Sequence, residues 1–112
     1  MKTVTNPKAN LENECVTLRV PGDLVSTNVE TVRGEINRLL EGAEGAAAKW
    51  TTFRLELAAA KMVDSVGLNL IVGLLKALEK RGAKMQITCS SQNVLRTFTF
   101  TRLDEHIELI KV

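Results

Sequence analysis

The chain has 112 residues, with 15 Lys and Arg against 13 Asp and Glu and a formal net charge of +2. That length fits one domain, which can bury about two-thirds of its unfolded surface without help from a metal or a disulfide. Near-neutral charge, one Trp, no Tyr and three Phe argue against a nucleic-acid binder, which needs a basic stripe or aromatic stacking platforms.

Residues 1–13 are polar, with Pro7 and several Asn, and read as a loose segment or an edge strand. Nothing in Met1 to Asn6 resembles the apolar core of a signal peptide. Val16, Leu18 and Val20 then alternate with Thr17 and Arg19, the pattern of a strand with one buried face. Pro21-Gly22 ends it. Thr27 followed by Glu30 fits a capping box at a helix start. Val29, Val32, Ile36, Leu39 and Leu40 follow at helical spacing, and Arg33, Glu35 and Arg38 form a solvated face. Gly42 to Gly45 reads as a turn, continued by Ala46 to Ala48 and Lys49.

Phe53, Leu55 and Leu57 alternate with Thr52, Arg54 and Glu56, a second half-buried strand. The spacing predicts a second helix from about Val66 to Arg81, with Gly82 as its C-terminal cap. Leu68, Leu70, Ile71, Val72, Leu74, Leu75 and Leu78 cover much of its circumference, so it is expected to be the most buried helix. Met85, Ile87 and Cys89 alternate with Lys84, Gln86 and Thr88 in a third strand. Ser90 or Ser91 caps a short helix carrying Val94, Leu95 and Phe98. Ile107 and Leu109 mark a last strand.

Strands and helices that alternate point to an α/β fold. A sheet covered on both faces has almost wholly apolar strands. These strands put Thr, Arg, Glu, Lys and Gln on one side, so the helices are expected on one face and the other face largely wet. Without repeats or low-complexity tracts, residues 1–112 read as a single domain. The longest apolar stretch, Val63 to Leu75, is broken by Asp64, Ser65 and Asn69. It is shorter than the roughly 20 residues that span a bilayer. Cys15 and Cys89 read as small core residues in a reducing compartment. A cytoplasmic protein with no membrane contact is expected, and a monomer, since no apolar helix face is left over.

The informative segment is Met62-Val63-Asp64-Ser65-Val66-Gly67-Leu68, where a strand region gives way to an apolar helix. Capping is its plain reading, since Asp and Ser oxygens accept orphan backbone N–H groups. A second reading is anionic: a helix N-terminus carries partial positive charge and free N–H donors. A phosphate esterified to Ser65 would sit there, partly stabilised. It would add about −1.5 to −2 charge beside Asp64 and repel a partner docked on that surface.

The segment resembles the Asp-Ser-x-Gly phosphoacceptor motif of the STAS family, the sulfate transporter and anti-sigma factor antagonist domains. Val20-Pro21-Gly22-Asp23-Leu24 resembles the family's Gly-acid-Leu motif after the first strand. Arg81 to Met85 resembles its helix-to-strand turn, and Ser90 to Phe98 its short third helix. The resemblance runs from about Cys15 to Leu109. It implies a mixed β-sheet of four to five strands with helices mainly on one face. It also implies an anti-sigma factor antagonist that works by partner switching. Its partner would be an anti-sigma factor that is also a serine kinase of histidine-kinase-like ATPase fold. Binding the unphosphorylated form releases that partner's target, phosphorylation of Ser65 dissociates the pair, and a metal-dependent serine phosphatase resets it. The nucleotide would belong to the kinase. The sequence departs from the family at Val25, where a polar residue is common, at Val66, where a small one is, and at Thr101-Arg102-Leu103, where a Gly is common. The alternative is a STAS module that is never phosphorylated, a structural subunit of a transporter or of a stress-signalling complex.

Loops at one end of the sheet are expected to form the partner surface. They carry Asp23, Leu24, Ser26, Thr27, Asn28, Asp64, Val66, Gly67, Ser90 and Asn93. Each also has a plain role, as turn residue, cap or solvated side chain. Val66 is either an exposed anchor for a partner or buried under its helix.

Catalysis is not expected. Ser65, Asp104 and His106 follow the chain order of α/β-hydrolases, but Val63 stands where the nucleophile elbow needs Gly. One His and two distant Cys do not make a zinc site. The chain has neither a Gly-x-Gly-x-x-Gly nor a Walker motif, so no cofactor is expected.

Overall fold

The computed structural model describes residues 11–12, 15–41 and 50–112. The turn expected at Gly42 to Gly45, the Ala46–Ala48 continuation and the rest of segment 1–13 lie outside them. Five strands form one sheet in chain order: β1 (Leu11–Glu12), β2 (Cys15–Arg19), β3 (Thr52–Leu57), β4 (Lys84–Cys89) and β5 (Glu108–Lys111). β1 is antiparallel to β2, and β2 to β5 are mutually parallel. The sheet is therefore mixed. Helices α1 (Val29–Glu41), α2 (Ser65–Lys80) and α3 (Gln92–Phe100) make the three crossovers.

That order explains the single helical layer. Crossovers between parallel strands are right-handed, and here each moves one strand further in the same direction. All three helices therefore fall on one face. The register lines up Leu18, Leu55, Ile87 and Leu109 across four strands beneath them. Phe53, Leu55, Leu57, Ile87 and Cys89 are completely buried. From α2, Leu70, Ile71, Leu74, Leu75 and Leu78 enter this core, more large side chains than α1 or α3 contributes. Leu68 and Val72, also expected there, are half-buried at its margin.

The opposite face carries the polar row Thr17, Arg54, Gln86 and Glu108, one residue out of phase with the apolar row. Arg54 Nε donates to Gln86 Oε1 at 2.9 Å, and Gln86 Nε2 to Glu108 Oε1 at 2.9 Å. Because these side chains lie across one another, the face is less wet than alternation alone predicts. Thr17 and Thr88 are buried, and Arg54, Glu56 and Gln86 are half-buried.

α1 begins one residue later than the expected capping box allows. Asn28, not Thr27, closes the turn before it. The Asn28 carbonyl accepts the Val32 N–H at 3.1 Å. Its Oδ1 accepts the Val25 N–H at 2.9 Å, and its Nδ2 donates to the Asp23 carbonyl at 2.6 Å. Thr27 is exposed, and its hydroxyl has no hydrogen bond among the described residues. Ser91 caps α3 by accepting the Asn93 and Val94 N–H groups, at 3.2 and 3.4 Å. At the far end of α2, Gly82 adopts φ 73°, as expected of a C-terminal glycine. The Arg81 guanidinium lies 4.1 Å from the centroid of the Trp50 ring, a cation–π contact.

After α3 the chain makes one 3-10 turn (Leu103–Glu105), entered through Arg102 at φ 63°, ψ 18°. This is where a glycine is common in the family the sequence resembles, and the backbone shows why. An L-residue in the left-handed region costs about 1–2 kcal/mol, against about 0.5–1 kcal/mol for the extra freedom glycine loses on folding. Arg102→Gly should therefore raise the stability to urea by up to about 1 kcal/mol. A lower unfolding midpoint for the variant would contradict this reading of the turn.

Candidate functional site

The carboxyl ends of β2, β3 and β4 lead to three loops that meet at the start of α2. Asp64 is the cap of that helix, with extended backbone at φ −86°, ψ −176°. Its Oδ1 accepts the Gly67 N–H at 2.8 Å, and its Oδ2 accepts the Ser26 N–H at 2.9 Å. One carboxylate thus joins the start of α2 to the turn that precedes α1. The Gly67 N–H, then the Ser26 N–H, with a smaller contribution from Val66, hold the carboxyl below its usual value of 3.8, against an opposing desolvation. Hydrogen bonds to the charged form act in this direction.

This settles which of two adjacent capping residues caps. Ser65 is the first residue of α2, exposed, and its hydroxyl makes no hydrogen bond among the described residues. It also changes the anion argument from the sequence. The Gly67 donor at the helix end is already taken by Asp64, so a phosphate on Ser65 would stand next to an ionised carboxylate that holds that donor.

Gly67 has a steric reason. A Cβ there would overlap the Leu24 carbonyl oxygen, and would lie 3.0 Å from the Leu24 carbonyl carbon and Cγ. The close approach is tied by a parallel bridge between Leu24 and Val63. The Leu24 N–H donates to the Met62 carbonyl at 3.1 Å, and the Asp64 N–H to the Leu24 carbonyl at 3.2 Å. Leu24 is wholly buried and Gly67 is buried. The surface-contact role expected for these two is therefore replaced by a geometric one: they let the two loops pack together.

The other expected residues converge on the same place. Asp23 Oδ1 accepts the Lys61 and Met62 N–H groups at 2.7 and 3.2 Å. Asn93 Nδ2 donates to the Lys61 carbonyl at 3.2 Å, and Ser90 Oγ to the Ala58 carbonyl at 2.7 Å. Asn28 holds Asp23 and Val25, as described above. Ser26 and Thr27 are exposed on the α1 side. Val66 is 38% exposed, which resolves its two readings in favour of the surface. Sequence reasoning missed Met62, which is 46% exposed. Its only signal is an apolar residue out of phase with the strand before it. Met62 and Val66 are two of the four large exposed hydrophobics among the described residues, and they flank Ser65. Among the described residues no group of three or more His, Cys, Asp or Glu is placed to hold a metal ion, and no helix is long and apolar enough to cross a membrane.

A family model described as the STAS domain matches residues 6–112, and the chain belongs to that family. Comparison with curated protein sequences finds no match. Among solved structures, the fold is similar to a Thermotoga maritima protein described as a candidate anti-sigma factor antagonist. The TM-score is 0.77 at 19% identity, over 93% of this chain and 85% of that one. It is also similar to the Bacillus cell fate determinant SpoIIAA in its phosphorylated form, with TM-score 0.65 and 22% identity over 89% of this chain and 86% of that one. A sulfate transporter family protein from Wolinella succinogenes gives TM-score 0.69 at 14% identity, over 96% of this chain and 88% of that one. These likenesses establish the fold they share.

Two outcomes test the geometry. Gly67→Ala should lower the stability by about 1–3 kcal/mol, the usual cost of forcing atoms into packed space. A neutral result in urea unfolding would mean that the loops do not approach as described. For Asp64, the folded carboxyl is held low, so its stabilising effect is complete above the unfolded value near 3.8 and is lost as the pH falls through the lower folded value. The gap between the melting temperatures of the native chain and Asp64→Ala should therefore be constant near neutrality and shrink as acid is added below pH 3.8. A gap that persists in strong acid would contradict the cap.

Proposed function

We propose that this STAS domain is an anti-sigma factor antagonist of the partner-switching kind, with Ser65 as its phosphoacceptor. The observation that carries the reading is the division of labour at Asp64 and Ser65. The carboxylate is committed to backbone donors, and the adjacent hydroxyl is exposed and unengaged at the first position of a fixed helix. An acceptor serine requires that access. The partner is a serine kinase of histidine-kinase-like ATPase fold that also acts as the anti-sigma factor.

In the transfer, Ser65 Oγ attacks the γ-phosphorus of ATP held by the kinase. The new O–P bond forms as the bond to ADP breaks, and the hydroxyl proton passes to a base. Asp64 is a poor base here, because each of its oxygens already accepts a backbone N–H and its carboxyl is held low. The base therefore belongs to the kinase. A metal-dependent serine phosphatase returns the hydroxyl by hydrolysis, releasing inorganic phosphate.

The unphosphorylated surface offers Met62 and Val66 on either side of Ser65 in the chain, with the exposed Ser26 held nearby by its N–H bond to Asp64. A partner closing over this patch removes water from it. A phosphoserine adds about −1.5 to −2 charge at that point, next to a carboxylate that stays ionised. Desolvation and like-charge repulsion then act together against the complex. The domain's net charge of +2 would fall to about zero, but the switch lies in the local field at one helix end.

Incubation with the partner kinase and ATP should add one phosphoryl group to the intact mass, and Ser65→Ala should abolish the gain. Ser65→Asp should weaken kinase binding by about tenfold or more, the scale of a truncated or repelled charged contact. A native chain that takes no phosphate while binding its partner would support a STAS module that docks without switching. Phosphorylation that persists in Ser65→Ala would move the switch to another residue.

A further inference from the structure

We infer that Asp23 and Asn93 are positioning residues that hold the Lys61–Met62 peptide from two sides and so fix Ser65 as a kinase substrate. The inference rests on the phosphoacceptor reading above and deepens it. Segment 58–64 links β3 to the Ser65 helix; Ala60 and Val63 are buried in it, and Ala58, Ala59, Lys61 and Met62 are exposed. Its backbone is tied to two other stretches of chain, the loop after β2 and the stretch after β4. Asp23 takes the Lys61 and Met62 N–H groups, and Asn93 takes the Lys61 carbonyl. Leu24 takes the Met62 carbonyl and the Asp64 N–H, and Ser90 takes the Ala58 carbonyl. Met62 stands three positions before Ser65, and the ties continue to Asp64, the residue next to Ser65.

These bonds are poorly explained as a contribution to stability alone. Lys61 and Met62 are exposed, so the clamp buries little apolar surface, and water would satisfy the same groups if it were absent. Between the buried Ala60 and Val63, an exposed peptide without such ties is expected at the mobile end of the stability range. What the clamp provides is position. An acceptor oxygen must meet the γ-phosphorus at a defined distance and angle, and misplacement by about 1 Å can cost about a hundredfold in rate. Asp23 and Asn93 sit on opposite sides, one after β2 and one at the start of α3, so the peptide cannot swing toward either without breaking a bond.

The test compares Asp23→Ala, Asn93→Ala and the conservative Asp23→Asn with the native chain. Ile36→Val, a mild core change in α1, serves as a control for lost stability. The probe is the ATPase-fold serine kinase that phosphorylates the native chain. Amide hydrogen exchange at Lys61 and Met62 and steady-state phosphorylation of Ser65 are measured well below the melting transition. Both alanine variants should exchange faster at these amides and lose about tenfold or more in kcat, with KM little changed. Asp23→Asn keeps an acceptor oxygen and should restore most of the rate. Ile36→Val should melt earlier yet be phosphorylated normally. Alanine variants phosphorylated at the native rate, or slowed only as much as Ile36→Val at equal loss of stability, would overturn the inference and leave Ser65 as the acceptor. A native chain that takes no phosphate would overturn the switch reading itself, and this inference with it.

Discussion

One carboxylate organises the end of the domain where the loops after β2, β3 and β4 meet. Asp64 accepts from Gly67 at the start of α2 and from Ser26 at the turn before α1, through its two oxygens. Without it the helix end would present an orphan donor, and the two loops would be joined only through the backbone bridge at Leu24 and Val63. With it, the neighbouring serine is released from capping. The adjacency of Asp and Ser is a separation of tasks: one side chain holds the backbone and the next is left to solvent. Gly67 belongs to the same arrangement, because the Leu24 carbonyl occupies the space a side chain would need.

The sheet makes this meeting possible. Strands added one after another in a single direction leave the three described helices on one face and the loops after β2, β3 and β4 at one edge. The loops after β2, β3 and β4 are neighbours because their strands are. Residues far apart in sequence, Asp23, Lys61 and Asn93, come within hydrogen-bonding distance as a result. The core row of Leu18, Leu55, Ile87 and Leu109 fixes the strand register beneath. A slip of one residue would exchange it with the polar row.

Much of this was legible in the residues. Alternation marked β2, β3 and β4, and the density of leucines marked α2 as the most buried helix. The Asp-Ser-x-Gly spacing pointed to the candidate site. Capping residues were harder to assign, because neighbouring candidates are chemically equivalent until the backbone chooses. Thr27 and Asn28 both suit a helix start, and Asn28 took it because its amide also bridges Val25 and Asp23. The choice between Asp64 and Ser65 was open for the same reason. Leu24 read as part of a surface turn, and its burial follows from a bridge to Val63 that no local pattern announces. Asn93 read as a solvated helix residue or a contact, and its partner lies 32 residues away. Arg102 hides its left-handed backbone because arginine carries no signal for it.

The central claim is that Asp64 keeps the helix end when Ser65 carries a phosphate, so that the modification changes the surface and leaves the scaffold as it is. The direct measurement is an amide-resolved NMR spectrum of the domain with phosphoserine installed at position 65, with a phosphorus titration of the same sample. The account predicts that the Gly67 and Ser26 amides remain protected and close to their unmodified shifts. It also predicts that the phosphate titrates at or somewhat above its ordinary value of about 6, as expected of an exposed dianion beside a carboxylate. Large shifts and lost protection at Gly67 and Ser26, with a phosphate pKa pulled well below that value, would show that the phosphate had displaced Asp64 from the helix end, and would contradict the account.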